Sequence, residues 1–167
     1  MSDRLITITE EIELRPVTDN DREFLLAAYA AGREIELSMV PWDDALKRAF
    51  VEHQFDAQTA HYSAEYENAR HDVILLSGEP VGRLYVSRSD DTISILDFAV
   101  LNEYRGRGIG SAVVGSLIDE ARVSNRSVQV YVETFNPSQA FFTSRGFTVK
   151  GRDDVNLKLV LSGVQKS

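Results

Sequence analysis

An α/β fold built on a mixed, mostly antiparallel sheet is what this sequence predicts, and three patterns predict it. Between His71 and Val100, apolar runs alternate with short polar turns, as in an antiparallel meander. The last of these runs enters a glycine-rich turn, Arg105 to Gly110, that opens a helical period and then a further strand. A crossover of that length makes the strands on either side of it parallel. An alternating strand near the N-terminus and a hairpin near the C-terminus complete the sheet.

Glu11 to Arg15 alternates polar and apolar residues as a half-buried strand does, and Pro16, which lacks a ladder donor, closes it. Asp19 or Asn20 caps a helix whose apolar positions Phe24, Leu25, Ala28 and Tyr29 follow three-four spacing to near Gly32. Glu34 to Val40 forms a short second segment. Asp43 caps the longest helical pattern, which runs to about Glu65. Its apolar stripe is Leu46, Ala49, Phe50, His53, Ala57 and Ala64, widened by Val51, Phe55, Tyr62 and Tyr66. Such a stripe reads as core before it reads as the wall of a pocket.

The meander comprises Val73 to Leu76, Val81 to Ser87 and Thr92 to Val100, joined at Ser77 to Pro80 and Arg88 to Asp91. After the glycine turn, Ile109, Ala112, Val113, Leu117, Ile118 and Ala121 form one apolar helix face that fades at Ser124-Asn125. Val128 to Thr134 is the next strand. Asn136-Pro137 opens a short helix carrying Ala140, Phe141 and Phe142 and ending at Arg145-Gly146-Phe147. Phe147 to Lys150 and Val155 to Leu161 form the closing hairpin across the Gly151 to Asp154 turn.

Composition narrows the function classes. A chain of 167 residues with 43% hydrophobic content is expected to form a single domain, residues 1–167, around a continuous core. No run reaches the roughly 18 apolar residues of a membrane span, and Met1 to Glu10 is too charged and short for a secretory signal, so a soluble, cytoplasmic protein is expected. The absence of cysteine removes disulfides, thiolate metal sites and a cysteine nucleophile. His53 and His61 lack the one-turn spacing of a metal pair, and no metal is expected. A net charge of −8 speaks against nucleic acid as a partner. Residues 1–70 carry 15 Asp/Glu against 7 Lys/Arg, whereas residues 71–167 carry 11 of each. The acidity therefore belongs to the N-terminal part.

The segment Asp97 to Ser111 joins a strand end to a helix through a basic turn. Gly106, Gly108 and Gly110 let a ligand approach the backbone, and the unpaired N–H groups of the following helix point at an anion there. Arg105 and Arg107 add positive charge. A P-loop would need Gly-Lys-Ser/Thr, which is missing, and a dinucleotide fingerprint would need a third glycine where Ser111 stands. The turn Arg105-x-x-Gly108-x-Gly110 resembles the pyrophosphate signature of the GCN5-related N-acetyltransferase (GNAT) family. The segment Val132 to Phe147, with Asn136-Pro137 opening a helix and Phe142 four positions before Gly146-Phe147, is similar to the family's second signature. The order of elements over residues 11–161 matches as well.

That resemblance implies the GNAT fold, with helices on both faces of a sheet that splays apart at a cofactor gap. It implies acetyl coenzyme A as cosubstrate and coenzyme A as product. On this sequence it assigns the backbone of Phe98, Ala99 and Val100 to the pantetheine arm, with the Val100 N–H as oxyanion donor. It assigns Arg105, Gly106, Arg107, Gly108, Ile109, Gly110 and Ser111 to the pyrophosphate, and Asn136 and Phe142 to the coenzyme chain. The sequence departs from the family in two places. Phe142 stands where a tyrosine often donates a proton to the leaving thiolate, so the acid is unassigned, and Asn102 replaces a frequent proline. Asp97 and Glu133, on the strands flanking the gap, are candidate bases.

The function expected is an N-acetyltransferase acting on a primary amine by direct attack in a ternary complex, as a monomer or homodimer. A non-catalytic acyl-coenzyme A-binding or regulatory domain, or a purely structural protein, are the alternatives. The family's acceptor wall corresponds to Phe24 to Tyr66, where the acidity lies, so a cationic small-molecule or peptide amine is expected. Glu34, Glu36, Asp43 and Asp44 are the contributors expected there.

Overall fold

The structure, a computed structural model, describes residues 4–133, 138–152 and 156–162. In chain order its strands are Ile6–Thr7 (β1), Ile12–Pro16 (β2), Arg70–Leu76 (β3), Glu79–Arg88 (β4), Thr92–Val100 (β5), Ser127–Glu133 (β6), Thr148–Arg152 (β7) and Asn156–Leu161 (β8). The helices are Arg22–Ala31 (α1), Glu34–Ser38 (α2), Asp44–Glu65 (α3), Ile109–Ser124 (α4) and Ser138–Thr143 (α5). The strands hydrogen-bond in the order β1-β2-β3-β4-β5-β6-β8-β7, giving an open, mixed α/β sheet that is mostly antiparallel. Two compact units divide the chain, Met1–Tyr85 with Phe98–Ile109, and Val86–Asp97 with Gly110–Ser167.

In the first unit, β2 pairs antiparallel with β3 from Ile12↔Leu76 to Pro16↔Asp72, so the proline ends the strand as its missing donor requires. The Asp43 carboxylate accepts the Leu46 N–H at 2.8 Å and starts α3 where its sequence places the cap. Leu25 and Leu26 of α1 pack on Val51 and Phe55 of α3, and each such burial stabilises by about 1.5–3 kcal/mol.

That packing corrects the expected face of α3. Leu46, Ala49, His53, Ala57 and Ala64 are exposed, and the core side is the one bearing Val51 and Phe55. On the same side, Gln58 Oε1 accepts from Nη2 of the buried Arg83 at 2.6 Å, and the Arg83 guanidinium lies 5.2 Å from the Phe55 ring centre. Tyr62 meets Tyr85 edge-on at 5.2 Å, and His71 stacks on the same Tyr85 ring at 4.3 Å.

In the second unit, β5 and β6 are parallel, as the crossover predicts. Val113, Val114, Leu117 and Ala121 bury the inner face of α4, and Ile93, Ile95, Val128 and Val130 are buried on the strands. β8 pairs antiparallel with β6 from Val128↔Leu161 to Glu133↔Asn156 and with β7 across a register shift between Val149 and Gly151. Because of that extra residue, β7 continues to Arg152, past the expected end at Lys150.

Candidate functional site

The β5–β6 ladder runs from Thr92↔Ser127 to Ile95↔Val130 and stops there, although β5 continues to Val100 and β6 to Glu133. The end of β5 is held from its other side. A Cβ on Gly82 of β4 would stand 2.2 Å from the Ala99 carbonyl oxygen and 3.1 Å from the Val100 Cα, an approach only glycine allows. The Leu101 N–H donates to the Val81 carbonyl at 2.8 Å just beyond it.

From Asn102 to Tyr104 the chain makes one 3-10 turn, and the Asn102 amide donates to the Glu34 carboxylate of α2 at 3.2 Å. Arg105 Nε then donates to the Val100 carbonyl at 3.2 Å, tying the turn back to the strand end. Gly106 and Gly108 have φ of +79° and +81°, a backbone that side chains rarely adopt, and among the described residues, chain neighbours aside, no atom lies within 4 Å of where either Cβ would stand. The turn is thus open on the side its glycines face. Ile109, 2% exposed, anchors the start of α4, while Arg105, Arg107 and Ser111 are exposed and Gly110 lies in the first turn. The first N–H groups of α4 have no intrahelical acceptor, so a left-handed glycine turn feeding that helix suits an anion.

Of the second signature segment, Ser138–Thr143 form α5. Phe142 is 2% exposed, packed edge-on against Phe141 at 5.1 Å and Phe147 at 5.2 Å, so its ring belongs to the core of this unit. Just after the helix, Arg145 Nη2 donates to Ser111 Oγ in the first turn of α4. Its Nη1 donates to the Phe141 carbonyl at 2.9 Å, and the guanidinium sits 3.7 Å over the Phe141 ring centre. Sequence reasoning missed this residue: it stands inside the quoted motif, but its partner is 34 positions away and only folding joins them.

The arginines of the two signature segments differ from those paired elsewhere, Arg33 with Glu36 among them. Arg15, Arg22, Arg48, Arg70, Arg88, Arg122 and Arg126 each form an ion pair with a carboxylate. Arg105, Arg107 and Arg145 of the two signature segments contact instead a carbonyl, the Tyr104 ring and a hydroxyl, and among the described residues none pairs with a carboxylate. Their charge is therefore available to an anionic ligand.

Of the candidate bases, Asp97 is half-buried on β5, and Glu133 ends β6 opposite Asn156. The Glu133 side chain and Asn136 lie outside the described residues. Among the acidic residues of the N-terminal part, Glu36 pairs with Arg33 at 3.8 Å and Asp43 is the α3 cap, while Asp44 is exposed. Glu34 lines a cleft of about 380 Å³ with Ala30, Ala31, Leu37, Ser38 and Lys47.

Strong titration shifts lie at the Arg83 group, another feature the sequence did not show. Burial, then the charge of Arg83, lowers the His71 imidazole to about 3. Burial lowers Arg83 to about 10 and raises Tyr62. Among the described residues no cluster of His, Asp and Glu could hold a metal ion, and no helix is long and apolar enough to cross a membrane.

Comparison with known proteins gives the family and the fold. Residues 33–147 match the family described as acetyltransferase (GNAT) family. The fold resembles that of PaiA N-acetyltransferase from Thermoplasma acidophilum in complex with coenzyme A, with a TM-score of 0.67, 13% identity, and 90% of this chain and 98% of that one covered. It also resembles an acetyltransferase from Thermus thermophilus, with a TM-score of 0.64, 21% identity and coverage of 90% and 96%. For RimL, a ribosomal alpha-N-protein acetyltransferase in complex with coenzyme A, the values are 0.62, 15%, 94% and 97%. With both signatures inside the matched span and the glycine turn at the head of α4, the chain belongs to the GNAT family of acetyltransferases.

Proposed function

We propose that this protein is an N-acetyltransferase that uses acetyl coenzyme A and a primary amine, with residues 1–167 acting as one acetyltransferase domain. The observation that carries the reading is the open turn of Gly106 and Gly108 running into α4, inside a chain of acetyltransferase ancestry. The room beside the glycines and the arginine charges, which no carboxylate among the described residues pairs, fit a diphosphate. Acetyl coenzyme A supplies an activated acetyl thioester.

The residues of the chain then divide the work. Arg105, Gly106, Arg107, Gly108, Ile109, Gly110 and Ser111 grip the diphosphate through backbone N–H groups and charge. Phe98, Ala99 and Val100, past the end of the β5–β6 ladder, pair with the pantetheine amides, and Asn136 contacts the same chain. The Val100 N–H donates to the oxygen that gains negative charge as the amine nitrogen bonds to the acetyl carbon. Asp97 or Glu133, directly or through water, takes the proton released by the amine. Phe142 supports the site by packing and has no proton to give, so water protonates the departing thiolate.

Release of free coenzyme A from acetyl coenzyme A, measured across a panel of primary amines, tests the proposal; no turnover with any amine despite coenzyme binding would favour the non-catalytic reading, which the missing hydroxyl at Phe142 supports. The acceptor is a cationic small molecule or peptide amine. Support for this comes from the acidity of residues 1–70 and from Glu34, which lines the α1–α2 cleft and is hydrogen-bonded to Asn102 ahead of the turn.

A further inference from the structure

We propose that Arg145 is a positioning residue for the coenzyme, acting through Ser111 on the diphosphate end of the site. This rests on the acetyl coenzyme A reading above, and it concerns a residue outside both the glycine turn and the candidate bases.

A serine hydroxyl has one hydrogen to donate and two lone pairs with which to accept. Arg145 Nη2 donates to Ser111 Oγ, which occupies one lone pair and leaves the hydroxyl hydrogen for another acceptor. Ser111 stands in the first turn of α4, is exposed, and lies on the helix whose leading N–H groups face outward. An anion at that helix end therefore meets a hydroxyl whose orientation is set in advance, which lowers the ordering cost of binding.

The guanidinium that sets this orientation is itself fixed. The Phe141 carbonyl accepts its Nη1 at 2.9 Å, Ser144 Oγ accepts the same nitrogen at 3.3 Å, and the Phe141 ring lies 3.7 Å beneath it. A planar fork with donors in fixed directions can hold a carbonyl and a hydroxyl at once, which an ammonium on a flexible stem does less well. No carboxylate among the described residues neutralises Arg145, so its full charge faces the end of α4 that already favours anions. A purely structural tie between α5 and α4 would be served by any neutral donor. A fixed, unneutralised cation on the hydroxyl is what an anionic ligand would use.

Coenzyme binding to the folded full-length protein tests this, by calorimetry at low and high salt. The wild type, Arg145→Met, Arg145→Lys, Ser111→Ala and the Arg145→Met/Ser111→Ala double variant are compared. Methionine keeps an apolar stem over Phe141 while removing charge and donors. The expected result is a loss of about tenfold for Arg145→Met, the scale of one charge-assisted hydrogen bond, with a shallower salt dependence and a double variant little weaker than the worse single one. Arg145→Lys keeps the salt dependence but not the full affinity. Dephospho-coenzyme A should show the same loss as coenzyme A.

Wild-type affinity in Arg145→Met, or losses from Arg145 and Ser111 that multiply independently, would reduce Arg145 to a helix-end anchor and overturn the proposal. A loss seen with coenzyme A but not with dephospho-coenzyme A would place Arg145 on the 3′-phosphate and overturn the action through Ser111. If Arg145→Met does not fold, the cycle is run with Arg145→Gln, a neutral donor, and the same outcomes decide. Failure of the wild type to bind coenzyme A at all would instead refute the parent reading of the site.

Discussion

At Gly108 two separate costs meet. With φ at +81° any side chain strains the backbone by about 1–2 kcal/mol, and a Cβ projects into the open space that the diphosphate is proposed to fill. Gly108→Val should therefore fold, since no described atom beyond its chain neighbours lies within 4 Å of the added Cβ, yet bind acetyl coenzyme A at least about tenfold more weakly. Unchanged affinity by calorimetry would remove the diphosphate site. His71 gives a prediction in pH. Its folded value of about 3 lies below the unfolded 6.5, because burial and the Arg83 charge, set among Tyr62 and Tyr85, disfavour the imidazolium. Between those values the unfolded chain binds a proton that the native one refuses, so stability is full above pH 6.5 and falls as pH drops toward 3, by up to about 1.4 kcal/mol per unit. Asp21, lowered to about 2 by its hydrogen bond with Arg15, adds a second loss below pH 3.8. Urea unfolding at pH 7.5 and pH 5 should separate the wild type from His71→Phe, whose stability should change less over that span.

Among the elements, the end of β5 depends on its neighbour. Gly82→Ala places a methyl 2.2 Å from the Ala99 carbonyl, and since the clash is with backbone, the strand end must move. The expected outcome is a lower melting temperature and a coenzyme Michaelis constant raised more than kcat is lowered, because Phe98 to Val100 are the proposed pantetheine strand. On α5 the buried ring of Phe142 revises what its truncation should do. Phe142→Ala opens a cavity beside Phe141 and Phe147 and should cost about 3–5 kcal/mol, so its loss of coenzyme affinity must be measured on the fraction that remains folded. The segment from Asp43 shows what a local signal can and cannot specify. The cap was legible because an aspartate and a following amide suffice for it. The buried face was not, since two adjacent stripes both satisfy a 3.6-residue period, and Leu25, Leu26 and Arg83 decide between them.

Across the whole molecule, the charge is the feature with kinetic consequences. Carboxylates concentrated in residues 1–70 raise the local concentration of a cation and slow an anion, over a screening length of about 8–10 Å. Initial rates with matched amines should favour the cationic one at low salt, and the preference should shrink as salt rises. A preference for the anionic amine, or a cationic preference that ignores both salt and Glu34→Gln, would sink the assignment. Asp43 is a weak member of that test, because its carboxylate already accepts the Leu46 N–H as the α3 cap.

Legible in the chain were the order of elements from β2 onward, the parallel crossover into β6, the cap of α3 and the glycine turn, because each is written in residues a few positions apart, whereas the two-residue β1, Ile6–Thr7, was not. Hydrophobic period, proline, glycine and capping chemistry act at that range and need no knowledge of the rest of the chain. Tertiary structure alone decided which face of α3 is buried, why Gly82 must lack a side chain, and that Arg83 and His71 share an interior with tyrosines. It also decided that Arg145 reaches Ser111. These contacts join residues far apart in the chain, and no periodicity encodes a partner at such a distance: it is selected when strands and helices pack, by volume, by charge and by the demand that buried polar groups be satisfied.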